Sequence, residues 1–258
     1  MRIVDYISAA ERSRQTINQW VTDQTEGKIK DLLPEGSIDQ LTRLVLTNAI
    51  YFNAAWASQF DKTTTRDGQF RLLGGSEITV SMMFQMASFK YTDDAGYQAV
   101  ELPYDGNQLS MLVLLPAAEQ FGTFEAGLDG PRLQGIIGAL RTSPVNLTMP
   151  RFKTESKFDL KAALSDLGMP IAFSESEADF SGMDGQKDLH ISGVVHQAFV
   201  SVDEAGTEAA AATGVIVGTT SVPTNIKDVT LDHPFIFLIR DNPTGTVLFM
   251  GRVMNPGA

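Results

Sequence analysis

The sequence contains no cysteine, only three histidines and no apolar run long enough to cross a membrane. Without cysteine, the chain can have neither a disulfide framework nor thiol chemistry. The histidines His190, His196 and His233 form no pair at the spacing that metal sites use. The sequence also lacks a Gly-x-Ser-x-Gly elbow, a His-Glu-x-x-His motif and a Walker loop. It therefore predicts no catalytic residue, no metal site and no cofactor, and we expect that the protein is not an enzyme.

Positive charge is also scarce. The 258 residues include 20 Lys and Arg against 31 Asp and Glu, which gives a net charge of −11. Nucleic acids and anionic membrane surfaces both attract a basic face, so neither is an expected partner. With 43% hydrophobic and 20% charged residues, the composition is that of a globular protein. No Pro/Gly-rich linker and no internal repeat divides the chain, so a single domain over 1–258 is predicted.

The hydrophobic patterns predict an α+β fold. Residues 6–23 have the periodicity of a helix, and Ile7 belongs to its apolar face. Residues 44–52 predict a buried strand. The near-continuous apolar segments 235–240 and 246–253, joined by a turn-rich connection, predict a hairpin that is buried on both faces.

The segment 203–214 is the most informative part of the chain, because Gly206 is followed by small residues that are almost without charge. Its alanine-rich middle favours a helix or a flexible linker. The other interpretation is a strand, in which alternate residues face opposite sides. The face that begins with Thr207 then has no charge as far as Thr219, and Glu208 lies on the other face. Such a strand could insert between two existing strands without burying a charge, with Gly206 as the permissive hinge.

The same segment resembles the proximal hinge of the reactive loop of serpins, a family of serine protease inhibitors. The residues that carry this resemblance are Glu204, Gly206, Thr207, Glu208, Ala209, Ala210, Ala211, Ala212 and Thr213. The resemblance continues in order along essentially the whole chain. Its other segments include 48–56, 102–104, 111–116, 149–152, 178–183, 196–198, 233–235 and 249–256.

For the fold, the resemblance implies a serpin-like α+β domain with mixed and antiparallel sheets, flanking helices and an exposed reactive loop at about 204–226. The chain resembles a serpin that starts near the family's helix F. The N-terminal third of the family's fold is therefore expected to be missing, including its first helices and two strands of sheet A.

For the function, the resemblance implies inhibition of a serine protease by a suicide mechanism. The protease would cleave the reactive loop, and the freed loop would insert into the central sheet as a new strand. Counting from the hinge in the family's manner places the scissile bond between Thr220 and Ser221, with the bonds 219–220 and 221–222 as alternatives. A small β-branched residue before this bond disfavours trypsin-like enzymes, whose pocket takes Lys or Arg. The expected partner is therefore an elastase-like or subtilisin-like protease.

The resemblance also implies a region where the sheet opens. Asn48 and His196 are expected to form a buried amide–imidazole hydrogen bond there. Arg151 and Glu204 are expected to form an ion pair, and Trp56 to pack under the hinge.

The likeness to serpins favours a secreted or extracellular protein, although no signal peptide is recognised in the sequence. Without the missing helices, exposed sheet edges would allow self-association. The alternative to an inhibitor is an inactive or non-inhibitory serpin fragment that needs a missing N-terminal chain to fold or to act.

Overall fold

The computed structural model describes residues 3–207 and 225–257. The hinge residues from Glu208 to Thr213 and the predicted scissile bond between Thr220 and Ser221 lie outside the described residues. Helices and strands follow one another in an irregular order, which confirms the predicted α+β class.

The helices are α1 (Tyr6–Gln24), α2 (Phe121–Ala126), α3 (Gly130–Ala139), α4 (Lys161–Asp166) and α5 (Ser181–Asp184), and a 3₁₀ turn covers Pro170–Phe173. The strands are β1 (Leu44–Tyr51), β2 (Ala54–Ala55), β3 (Arg66–Arg71), β4 (Glu77–Asp94), β5 (Tyr97–Pro103), β6 (Leu109–Pro116), β7 (Arg141–Pro150), β8 (Phe152–Asp159), β9 (Ile191–Val202), β10 (Gly206–Thr207), β11 (Lys227–Thr230), β12 (Phe235–Asp241) and β13 (Val247–Val253).

The predicted N-terminal helix is confirmed as α1. Asp5 precedes it, and its side chain accepts a hydrogen bond from the Ser8 amide at 2.9 Å, as an N-cap does. The assignment of Ile7 to the buried face is wrong, because this side chain is 67% exposed. Ala9 has non-helical backbone angles, so the residues before this kink do not continue the apolar face of the rest of the helix.

The described residues form two compact units, each made of two chain segments. One unit comprises 1–51 and 155–199, and the other comprises 52–154 and 200–258. The single domain that the sequence predicts stays a prediction.

The first unit contains a parallel pair of strands and a small apolar core. Strand β1 runs parallel to β9, in a register that extends from Leu44 opposite Ile191 to Tyr51 opposite Phe199. One cluster packs side chains of α1 against these strands, and a second cluster lies around α4 and the 3₁₀ turn. The buried members are Val21, Ile29, Leu32 and Phe199 in the first, and Phe173, Ile191 and Val194 in the second.

The second unit is built on an eight-stranded mixed sheet. Its order is β11-β7-β4-β5-β6-β12-β13, and β3 pairs with β4 beside this path. Strands β11 and β7 are parallel, and the other neighbours are antiparallel. Alternate residues of β6 point to opposite faces of the sheet, and each face packs against its own apolar cluster. Val113 belongs to the larger cluster, and Leu112 belongs to the cluster that includes side chains of α2 and α3. The central strands are consequently buried on both faces.

Two predictions of burial are wrong. Strand β1 is only partly buried, with Leu46 42% exposed, because the described residues pair it along one edge only. In the predicted hairpin, β12 is buried but β13 is not, and Val247, Leu248 and Met250 are exposed. Strand β13 ends the sheet, so only β12 flanks it.

A buried charge cluster links the central strands of the sheet. The Arg240 guanidinium donates from Nη1 to Glu101 Oε1 at 2.5 Å, and both side chains are less than 10% exposed. The Ser110 hydroxyl donates to the same oxygen at 2.9 Å, and Lys90 Nζ lies 3.1 Å from Glu101 Oε2. Because a buried carboxylate is stable only with such partners, we expect this cluster to be sensitive to the loss of one member.

We predict that Arg240→Met lowers the free energy of unfolding by about 3 kcal/mol, because it leaves Glu101 buried without its main counter-charge. The control is Arg71→Met, since Arg71 is half exposed and lies 3.9 Å from Glu77; its loss should stay below about 1 kcal/mol. Urea unfolding of both variants measures the difference. Equal losses in the two variants would contradict a special role for the buried pair.

Candidate functional site

The first hinge residues are already part of a sheet in the second unit. Strand β10 pairs antiparallel with β2, with Gly206 opposite Ala55 and Thr207 opposite Ala54. Thr207 also pairs antiparallel with Val202 at the end of β9. The start of the hinge therefore lies between two strands, immediately before the segment 208–224.

Gly206 is required at this position for two reasons. Its φ of 154° is one that residues with a side chain rarely adopt. A Cβ atom would also lie 2.2 Å from the carbonyl oxygen of Ala54 and 2.7 Å from the Cα of Ala55. Only glycine allows the hinge backbone to approach β2 so closely.

Trp56 binds the backbone of the hinge through both of its nitrogens. Its amide donates to the Ala205 carbonyl oxygen at 3.0 Å, and its indole Nε1 donates to the Asp203 carbonyl oxygen at 3.0 Å. The Phe60 amide donates to the Glu204 carbonyl oxygen at 2.9 Å. These bonds place Trp56, which is 3% exposed, directly against the hinge.

Tyr104 binds the side chain of Thr207. The two hydroxyl groups are 2.7 Å apart, and both residues are buried. The Tyr104 ring stacks on Trp56 with 4.6 Å between ring centroids and an angle of 9°, and Phe52 meets it edge-on at 5.0 Å. Burial raises the pKa of the Tyr104 phenol well above its usual range. The phenol is therefore neutral and serves as a fixed hydrogen-bonding partner.

Arg151 and Glu204 form a close ion pair. Arg151 Nε lies 2.9 Å from both carboxylate oxygens, and Nη2 lies 2.6 Å from Oε1. The Thr65 hydroxyl donates to the same Oε1 at 2.5 Å. Burial raises the pKa of Glu204, but the hydrogen bonds from Arg151 and Thr65 outweigh this effect and hold the pKa below its ordinary value of 4.5.

Asn48 and His196 lie in the first unit, where they are register partners on β1 and β9. Within residues 3–207 and 225–257, no hydrogen bond joins them, in contrast to the bond expected from the sequence. Asn48 is exposed, so its amide reaches solvent, and His196 is only half-buried. The His196 ring lies parallel to the Phe158 ring, with 6.3 Å between centroids.

No helix among residues 3–207 and 225–257 is long and apolar enough to cross a membrane. In the same ranges, no group of three His, Cys, Asp or Glu side chains could hold a metal ion.

A family model described as "Serpin (serine protease inhibitor)" matches residues 1–256. The chain belongs to the serpin family. Leukocyte elastase inhibitor A of Mus musculus is 44% identical over 98% of this chain and 69% of its own length. Serpin B6 of Pongo abelii is 42% identical over 99% of this chain and 69% of its own length.

Solved serpin structures have the same fold. Uncleaved ovalbumin superposes with a TM-score of 0.87 at 31% identity, over 98% of this chain and 65% of ovalbumin. Native protease nexin-1 with heparin gives a TM-score of 0.85 at 32% identity, over 99% of this chain and 69% of that chain. This serpin chain thus spans about two thirds of the proteins that it matches.

The family also bears on two other expectations. Serpins are described as protease inhibitors, which in general agrees with the lack of a catalytic motif. The expectation of a secreted or extracellular protein is wrong. It came from the family resemblance alone, and the matching relatives leukocyte elastase inhibitor and serpin B6 are intracellular serpins.

The structure adds two residues that the sequence-based site omits. Tyr104 lies in a segment that resembles serpins, but nothing in the sequence pairs it with Thr207, which is 103 positions away. Thr65 lies 139 positions before Glu204, and no motif marks it. Contacts at these separations depend on strand pairing, which a single sequence does not reveal.

We predict that Glu204→Gln lowers the free energy of unfolding by about 1–2 kcal/mol at pH 7, because the ion pair with the half-exposed Arg151 is lost. The native pKa of Glu204 is below 4.5, so the ion pair stabilises the fold fully above that pH. Its contribution is lost as the pH falls through the native pKa. In urea unfolding, the difference in stability between the wild type and the variant should therefore shrink as the pH is lowered below 4.5.

The control for this experiment is Glu77→Gln, whose carboxylate is half exposed and lies 3.9 Å from Arg71. Its effect should stay below about 0.5 kcal/mol at every pH. A loss in Glu204→Gln that does not change between about pH 3 and pH 7 would contradict a contribution from the charge.

Proposed function

We propose that this serpin inhibits a serine protease as a suicide substrate, through cleavage of the segment 204–226 and its insertion as a strand. The observation that carries the proposal is β10, because Gly206 and Thr207 are seated between β2 and the end of β9. A strand that continues β10 in the same direction would extend the sheet from a start that already exists.

The alternation of side chains along the segment supports insertion as a strand. Thr207 is completely buried. In a continuing strand Ala209, Ala211 and Thr213 would share its face, and Glu208 would lie on the opposite one. The buried face of the inserted strand would thus be uncharged. Each main-chain hydrogen bond formed would contribute about 0.5–1.5 kcal/mol.

In the proposed reaction, the protease serine attacks the carbonyl carbon of Thr220. The bond to Ser221 breaks, the new amino group of Ser221 takes a proton, and an acyl-enzyme ester remains on Thr220. Insertion of the freed loop then carries the attached protease away from its original position. Distortion of the protease active site prevents hydrolysis of the ester, and a covalent complex persists.

The proposed target is an elastase-like or subtilisin-like protease. Thr220 offers a small β-branched side chain to the specificity pocket, which suits neither a trypsin-like nor a large aromatic pocket. Several relatives at 43–44% identity are named leukocyte elastase inhibitor, and this supports the elastase-like class.

The test is to mix the chain with pancreatic elastase, subtilisin and trypsin separately, followed by denaturing electrophoresis and mass spectrometry. We predict a covalent adduct with elastase or subtilisin, with the released peptide beginning at Ser221. Adducts with trypsin alone would contradict the proposed specificity. Cleavage of the loop by all three without any adduct would contradict inhibition by this chain.

Insertion itself is tested by a pair of variants. We predict that Thr213→Arg abolishes the adduct and leaves a cleaved chain, because it places a charge on the buried face of the inserted strand. Ala212→Arg is the matched control, since its side chain would lie on the opposite face and the adduct should persist. If both variants form the adduct equally well, the insertion mechanism is wrong.

A second candidate function is that of a serpin piece that acts only with another chain. The exposed apolar residues Val247, Leu248 and Met250 of β13 favour it. The edge strands β3 and β11 begin with charged pairs, Arg66–Asp67 and Lys227–Asp228, whereas β13 has no charge before Arg252. Strand β13 is therefore also the edge where we propose that self-association would occur. Sedimentation of the chain at several concentrations distinguishes a monomeric inhibitor from an associating piece.

A further inference from the structure

We propose that the hydrogen bond between Tyr104 Oη and Thr207 Oγ1 is a latch that keeps the start of the hinge seated in the sheet. The latch would act in the uncleaved chain, before a protease binds. The consequence for inhibition rests on the proposed function above.

The hydroxyl group of Thr207 is satisfied by its hydrogen bond with Tyr104. Its side chain is completely buried, and within residues 3–207 and 225–257 its only side-chain hydrogen bond is with Tyr104. A buried hydroxyl without a partner is unfavourable, whereas water satisfies the same hydroxyl once the hinge leaves the sheet. The bond with Tyr104 therefore favours the seated state over the released state.

The position of Tyr104 is fixed independently of the hinge. Its ring is held between Trp56 and Phe52, and its amide donates to the Leu109 carbonyl oxygen at 3.0 Å. It also forms an isolated antiparallel bridge with Trp56. Because the phenol cannot follow Thr207 out of the sheet without disturbing these contacts, release of the hinge breaks the bond.

The remaining contacts of the hinge differ in kind from this one. Asp203, Glu204 and Ala205 are held through backbone carbonyl oxygens by Trp56 and Phe60. Those bonds are made to the backbone of the hinge, so they break when the hinge leaves the sheet and report its release. The Tyr104 contact consequently acts on the side chain of Thr207, at the position from which the proposed insertion would continue.

A double-mutant cycle tests the latch, with Tyr104→Phe, Thr207→Val and the double variant. Each single variant leaves one buried hydroxyl without a partner and should favour release. The double variant replaces both hydroxyls by apolar groups of similar shape, so it should restore the seated state almost completely. Thr207→Ser keeps the hydroxyl and should behave like the wild type.

The readout is hydrogen exchange of individual amides by NMR on the uncleaved chain. The Trp56 and Phe60 amides are bonded to the hinge, whereas the neighbouring Ala57 amide is bonded to Pro103 and serves as an internal reference. Each single variant should speed exchange at Trp56 and Phe60 about tenfold relative to Ala57, and the double variant should lie within about twofold of the wild type. Tyr91→Phe, which removes another buried phenol bonded to Gln98, should leave these rates unchanged.

Two outcomes would overturn the latch. In one, the increases in exchange rate caused by the single variants multiply in the double variant. In the other, neither single variant changes the exchange rates at Trp56 and Phe60 more than Tyr91→Phe does. If each variant simply loosened the core, the two increases would multiply. If the two hydroxyl groups act through one shared bond, the increases do not multiply. No protease is needed for this readout. The expected exchange pattern in a chain that forms no adduct would uphold the latch and reject the inhibitory function.

Discussion

The close approach of Gly206 to Ala54 is the constraint on which the described part of the hinge depends. With 2.2 Å between a hypothetical Cβ and the Ala54 carbonyl oxygen, any larger residue would push the chain away from β2. Thr207 would then lose its pairing with Ala54, and its hydroxyl could not reach Tyr104. Gly206 is therefore needed both for the pairing of Thr207 with Ala54 and for the hydrogen bond between Thr207 and Tyr104.

The polar groups of the hinge are satisfied without help from the segment that follows. Four consecutive carbonyl oxygens, from Asp203 to Gly206, accept hydrogen bonds from the Trp56 indole, the Phe60 amide, the Trp56 amide and the Asp203 amide respectively. The Glu204 carboxylate is satisfied by Arg151 and Thr65. Because these carbonyl oxygens already have partners, the hinge backbone would lose hydrogen bonds if it left its position. The seated hinge is thus stabilised by residues 203–206 before the following segment contributes anything.

The sequence was sufficient for features that depend on local pattern. The helix α1, the strands β1, β12 and β13 and the α+β class follow from the hydrophobic pattern, and the segment 203–214 was identified from the alternation of its side chains and the position of Gly206. Exposure of β1 and β13 could not be predicted, because an apolar strand looks the same whether or not a neighbour covers it. The missing amide–imidazole bond is a similar case. Register brings Asn48 and His196 together, but side-chain orientation and solvent access decide whether they bond.

The proposed insertion also gives a physical reason for a threonine at position 207. A buried alanine would enter the sheet without a polar group, but it would give the seated state no side-chain hydrogen bond. A threonine contributes such a bond only where a fixed partner exists, and Tyr104 meets this condition because aromatic packing holds it in place. A charged residue would remain buried without compensation. The close-packed glycine and the matched hydroxyl therefore define one stable position for the hinge, and the proposed insertion would start from it.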